Sequence, residues 1–131
     1  MTLQEYAVKQ IGLPESNRLK YEVLLPSNIE IGKLICAYAN TAGGLLVLGV
    51  LNKNKTISIK GLSDDFRVDM VVNNSLMKIS PPVKIERGFI NYEGKKLYII
   101  KVEKANEIVT YNEVQYEITY KTIKKVTFQK V

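Results

Sequence analysis

Histidine and tryptophan are absent from the 131 residues, and there is one cysteine, Cys36. Without histidine there is no Ser-His-Asp or Cys-His catalytic set and no imidazole metal ligand. A single thiol closes no intrachain disulfide and builds no zinc site. No apolar run approaches the roughly 18 residues of a membrane span; the longest, Leu45 to Leu51, is strand-sized. The first residues, Met-Thr-Leu-Gln-Glu-Tyr, have neither the basic start nor the apolar stretch of a secretory signal. The expectation is therefore a cytoplasmic protein in a reducing compartment, with no membrane partner and no cofactor. Internal repeats, low-complexity segments and long linkers are also missing, so residues 1–131 form a single domain with one core. Any chemistry would rest on carboxylates, lysines, tyrosines or a carboxylate-bound metal.

What is present is ordinary in amount and uneven in placement. Apolar residues make up 46% and charged ones 24%, close to the globular average, which excludes a disordered tail. Nineteen Lys and Arg against thirteen Asp and Glu leave +6. After Glu30 the next acid is Asp64, and Lys33, Lys53, Lys55 and Lys60 lie between them. From Asn91 onward eight lysines face five glutamates. A pI near 9.3 points to a nucleic-acid footprint or to a solubilising surface.

Periodicity organises the chain. Residues 1–16 read as an arm, with a short helix over 2–10 left open, because Gly12 and Pro14 break the pattern. Leu19, Tyr21 and Val23 alternate with Lys20, Glu22 and Leu24, which predicts a strand over 19–25. Pro26 ends it. Ser27 and Glu30 form a capping box, and a helix runs to about Asn40. Ile31, Leu34, Ile35 and Tyr38 share its inner face with Lys33 and Asn40 opposite, and Gly43-Gly44 stop it. Leu45 to Leu51 reads as one strand buried on both faces, with Leu46 and Leu48 in the core. Thr56 to Ile59 is a short strand ended by Gly61. A second helix starts at Ser63-Asp64-Asp65 and runs to about Ile79, where Pro81-Pro82 stop it, with Arg67, Asn74 and Lys78 as its polar stripe. Val83–Ile90 and Lys96–Val102 form a hairpin, and Val114–Tyr120 and Ile123–Val131 form another around Lys121-Thr122. The sum is an α+β domain: a mixed, mostly antiparallel sheet with two helices.

The segment Ile35-Cys36-Ala37-Tyr38-Ala39-Asn40-Thr41-Ala42-Gly43-Gly44-Leu45-Leu46-Val47-Leu48-Gly49-Val50 resembles the signature of the Schlafen-type AlbA-like domain: a helix ending Ala-Phe-Ala-Asn, then Thr-x-Gly-Gly, then an apolar strand ending Gly-Val. Glu15 ahead of the first strand, Gly61 after the third and the proline pair agree with it. The resemblance covers roughly residues 13–120 and singles out Glu15, Asn40, Gly43, Gly44, Gly49 and Gly61 as motif positions with structural roles. Taken as residues alone, Gly43 and Gly44 allow a tight reversal, Gly49 allows a close approach, and Asn40 can bond loop groups. The block runs from helix into strand, so it is not a phosphate loop, which runs from strand into helix.

Some Schlafen proteins cut RNA. The resemblance implies a three-carboxylate metal site: two glutamates five residues apart and an aspartate after the Gly-Val strand. Glu15 fits the first, Lys20 stands at the second, and Leu51-Asn52-Lys53-Asn54 offers no acid. In Lys20-Tyr21-Glu22 the charges of the family triplet are exchanged, which displaces a carboxylate by about 7 Å. No catalytic residue and no metal ligand is therefore assigned. Tyr111, Tyr116 and Tyr120 read either as a stacking platform or, for the last two, as strand residues packed into a core. The expected function is a backbone-directed nucleic-acid-binding module, DNA or RNA, regulatory and tied to transcription. Lys20, Lys53, Lys55, Arg67, Lys78, Lys121, Lys124 and Lys125 are its candidate phosphate contacts. A protein-interaction or oligomerisation module is the alternative, an endoribonuclease the third reading. A homodimer is expected, because a single lobe leaves sheet edges uncovered.

Overall fold

The computed structural model of the chain describes residues 1–63 and 67–127. Thr2 starts a helix in earnest: its hydroxyl accepts from the Glu5 N–H at 3.1 Å and its own N–H donates to the Glu5 carboxylate at 3.4 Å. The result is α1 (Leu3–Gln10). Residues 1–16 are thus no free arm. Ala7 and Ile11 are buried, and Leu3 and Tyr6 pack beside them. A helix of eight residues with one fully buried side chain leaves little periodicity to read.

Among the described residues four strands make the main sheet in the order β1-β2-β7-β6: β1 (Leu19–Glu22), β2 (Gly44–Leu48), β6 (Ile85–Tyr92) and β7 (Lys95–Val102). β1 and β2 run parallel with Leu19 opposite Leu45, and the other pairs are antiparallel. Alternation divides the side chains between two cores. Leu19, Tyr21, Leu45, Val47, Leu97 and Ile99 face α1, while Leu46, Leu48, Tyr98 and Ile100 face the helices α2 (Asn28–Asn40) and α3 (Val68–Leu76).

Over α2 lies a second sheet, ordered β10-β9-β8-β5, built from β5 (Ile79–Ser80), β8 (Thr110–Tyr111), β9 (Val114–Thr119) and β10 (Thr122–Lys125). Helix α2 is consequently buried between two sheets from Ile31 to Ala39, with Lys33 the exception. Lys33 lies over the Tyr116 ring at 5.4 Å. Ser27 caps α2 by accepting from the Glu30 N–H at 3.1 Å.

Six expectations are corrected. Among the described residues there are three helices, α1 being the addition. The run Leu45–Leu51 is two strands, because Gly49 at φ +103° turns the chain into β3 (Val50–Lys53), which pairs with β4 (Thr56–Ile59) as a separate hairpin. Helix α3 stops at Leu76, and Ile79 joins the second sheet; its expected start at Asp64 and Asp65 lies outside the described residues. Asn40 is not on a solvent face, since it bonds the second sheet. Tyr120 is 86% exposed rather than core, because it occupies the β9–β10 turn. The last expected strand ends at Lys125, with Phe128–Val131 outside the described residues.

Leu34 is 6% exposed in the α2 core, beside Ile31, Ile35, Tyr38, Leu46 and Leu48, which are all buried. Leu34→Ala leaves a cavity there and is expected to cost about 2–5 kcal/mol. Urea unfolding measures it, and a change near zero would contradict this packing.

Candidate nucleic-acid interface

The segment between α1 and β1 folds back on the outer edge of β1. Tyr21 holds it: the hydroxyl donates to the Leu13 carbonyl at 2.6 Å and accepts from the Gly12 N–H at 3.1 Å. Burial is the main reason its pKa is raised. The Glu15 carboxylate completes the latch by accepting from the Tyr21 N–H at 3.0 Å with Oε2 and from the Asn52 side-chain amide at 2.5 Å with Oε1. One carboxylate thereby ties β1 to the β3–β4 hairpin. Tyr38 lies nearby, its hydroxyl pKa raised by burial and, less, by the Glu15 charge.

Two clefts adjoin at Glu15 and Lys121, which line both. One, of about 160 Å³, is walled by Ser16, Lys20, Leu34 and Ile123. The other, of about 420 Å³, is walled by Gly12, Asn52, Lys55 and Ile57. Lys55 and Lys121 each hold the second position of a two-residue hairpin turn, at φ 64° and 65°. The β9–β10 turn is anchored beside β1 by the Lys121 N–H donating to Asn17 Oδ1 at 2.7 Å. Lys20 also pairs with Glu22 at 3.5 Å across one side of β1. The clefts therefore bring together one carboxylate, already engaged by two donors, and three lysines.

The eight cationic candidates do not form one patch. Lys20, Lys55 and Lys121 converge on the clefts. Lys53 ends β3, and Lys124 and Lys125 lie on β10, an edge of the second sheet. Lys78 sits at the opposite edge, where its carbonyl accepts from the Asn112 N–H at 2.8 Å beside β5 and β8. Arg67 stands at the N-terminus of α3, exposed. Three distant segments supply the cleft lysines, so no local pattern marks them as a set. The signal within reach was the position of Lys55 and Lys121 at hairpin tips.

A divalent metal does not fit here. Both Glu15 oxygens accept hydrogen bonds, Asn52 turns a donor toward the carboxylate, and Lys20 brings a second cation. Among the described residues no group of three or more acidic or thiol side chains could hold an ion.

The motif positions have structural work. Asn40 Nδ2 donates to the Val109 and Tyr116 carbonyls at 2.7 and 2.8 Å, and its Oδ1 accepts from the Val109 N–H at 2.8 Å. Gly43, at φ +75°, donates its N–H to the Tyr38 carbonyl and closes the helix. A Cβ on Gly44 would strike the Tyr38 ring, and one on Gly49 the Leu97 side chain. Gly61 reaches the Gly49 carbonyl at 2.9 Å.

A domain of this kind, two sheets enclosing a helix that ends Asn-Thr-x-Gly-Gly, matches the Schlafen, AlbA_2 family over residues 8–128. The chain belongs to that family. No curated protein matches it. Among solved structures, the DIP2311 protein of Corynebacterium diphtheriae is similar at TM-score 0.65 and 16% identity, over 94% of this chain and 30% of that one. The N-terminal domain of an ATP-dependent DNA helicase RecG-related protein from Nitrosomonas europaea is similar at TM-score 0.53 and 20% identity, over 81% of this chain and 75% of that one. At these identities the likeness is one of fold. The chain spans under a third of the first relative's length.

If Glu15 is mainly a latch, Glu15→Ala should leave the part-buried Tyr21 N–H without its acceptor and cost about 1–3 kcal/mol. Amide exchange is expected to quicken at Tyr21 and stay unchanged in β7. Unaltered exchange at Tyr21 would rule the latch out.

Proposed function

We propose that the chain is a nucleic-acid-binding module that grips phosphates through lysines, cleaves nothing and serves a regulatory role in the cytoplasm, in the control of transcription. The observation that carries this reading is the convergence of Lys20, Lys55 and Lys121 on adjoining clefts, in a chain of +6 net charge. Family membership and the helicase-related neighbour support it. Lys53, Lys124 and Lys125 extend the contact along flanking strands. Each phosphate neutralised releases condensed counterions, so affinity should fall steeply with salt. Anisotropy titrations with labelled DNA and RNA test this. Reversing Lys20, Lys55 and Lys121 to Glu should flatten the log–log salt slope by about 2–3, whereas Lys78→Glu leaves it unchanged. Absence of binding at low salt would overturn the reading.

A second, compatible reading is a homodimer through β6. The two-residue turn at Glu93-Gly94 makes Tyr92 and Lys95 a hydrogen-bonded pair. The N–H and C=O groups of Ile85, Arg87, Phe89 and Asn91 therefore point outward along an edge that no strand of the described residues pairs. The edge has no proline, and Glu86 and Arg87 balance within it, so +6 weighs less there than elsewhere. A twofold antiparallel pairing centred on Gly88 would set Arg87 against Phe89 of the second copy, and nothing lies within 4 Å of where a Gly88 Cβ would be. A strand pair alone is a small interface, so a weak dimer is expected. Light scattering at high micromolar protein should read roughly twice 14.8 kDa. Gly88→Lys, which fits the monomer and opposes like charges across the axis, should return it to the single mass. A wild-type mass that never rises would remove the dimer.

A further inference from the structure

We propose that Tyr120 is a base-stacking residue and that the partner held along the Lys121 clefts is single-stranded nucleic acid. The proposal rests on the nucleic-acid reading above and narrows it to a strand type. One exposed aromatic is commonplace; the position of this one is not. Tyr120 is 86% exposed, the most exposed aromatic among the described residues, and it takes the first place of the β9–β10 turn at φ 49°. Two-residue turns of this hand favour Asn, Asp or Gly, because both central residues are left-handed. Three other turns among the described residues obey that rule. Asn54-Lys55 and Asn112-Glu113 place Asn first, and Glu93-Gly94 places Gly second. Tyr120-Lys121 has neither, so an aromatic ring is held at a tip where the backbone disfavours it.

The tip is also fixed in place. The Lys121 N–H donates to Asn17 Oδ1 at 2.7 Å, and the Thr122 hydroxyl donates to the Thr119 carbonyl at 2.7 Å across the turn. The next side chain, Lys121, lines both clefts, with Lys20 in one and Lys55 in the other. A ring facing solvent, one residue from a cation that faces the clefts, is the pairing that single strands need: a π-face for a base and positive charge for the phosphates beside it. In a duplex the faces of the bases are already stacked on one another and the same ring finds no partner.

The test uses the full chain with three labelled probes: a thymidylate oligonucleotide, an abasic oligonucleotide of equal length, and a closed DNA hairpin. Tyr120→Asn, which suits the turn, should raise the melting temperature and weaken thymidylate binding by about five- to a hundredfold. Tyr120→Phe keeps the ring and should bind within about twofold of wild type. Both variants should match wild type on the abasic strand and the hairpin. A Tyr120→Asn protein that binds thymidylate as wild type does, or that loses the same factor on the abasic strand, overturns the stacking role while leaving the phosphate reading standing. A wild-type protein that binds none of the probes at low salt sinks both.

Discussion

The end of α2 is the point on which the rest of the structure depends. A helix covered by one sheet can leave its last carbonyls to water, but one enclosed by two sheets must satisfy them within the protein. The Thr41 hydroxyl takes the Ala37 carbonyl, the Gly43 N–H the Tyr38 carbonyl and the Ala105 N–H the Ala39 carbonyl. Asn40 reaches across to Val109 and Tyr116, and Thr41 Oγ1 donates to the Ala37 carbonyl and accepts from the Ile118 N–H. Two neighbouring side chains thus join the helix to the second sheet. Gly43 and Gly44 then return the chain at once into β2, beneath the Tyr38 ring. At the helix's other end Gly32 has no room for a Cβ, because the Tyr111 ring occupies that space. The close fit of a helix between two sheets accounts for these residues without any ligand.

That enclosure decides which surfaces remain available. Of the two edges of the main sheet, β1 is shut by its own upstream segment, with Glu15 on the Tyr21 N–H and Ser16 paired with Leu19. Among the described residues β6 has no such cover along its outer row. The hairpin tips at Lys55 and Lys121 overhang the shut edge, so cationic groups gather where backbone pairing is blocked. The open edge, by contrast, is nearly neutral. The two ends of one sheet therefore differ in what they present among the described residues, positive charge at β1 and free backbone groups at β6.

Much of this was legible in the sequence. The β6–β7 hairpin was readable because turn residues and alternation agree, and α2 because Ser27, an apolar face and two glycines mark its limits. What was missed has physical reasons. The capping box of Thr2 and Glu5 was present in the sequence, but eight residues with one fully buried side chain carry too weak a period. The run from Leu45 to Leu51 is apolar throughout, and burial on every side hides the turn at Gly49. Asn40 looked like a surface residue because polarity reports a need for partners, not where they are. Tyr120 continued an alternation that its turn had already ended. Of the cleft, Glu15 was visible through the family resemblance alone, and the convergence of Lys20, Lys55 and Lys121 depends on how three separated segments pack.

The chemistry of the cleft follows from one substitution of type at Asn52. An aspartate there would bring a second carboxylate to hydrogen-bond distance of Glu15, and two such charges need a proton or a cation between them. Asn52 donates instead, and the Tyr21 N–H donates from the other side, so the single negative charge is satisfied by neutral groups. The lysines nearby are then not consumed in neutralising it. Lys20 is shared with Glu22, but Lys55 and Lys121 leave the cleft net positive with its carboxylate in place. A site arranged this way has little to offer a divalent cation and an unspent attraction for anions. The residue that withholds a second carboxylate is also the one that leaves the cleft net positive.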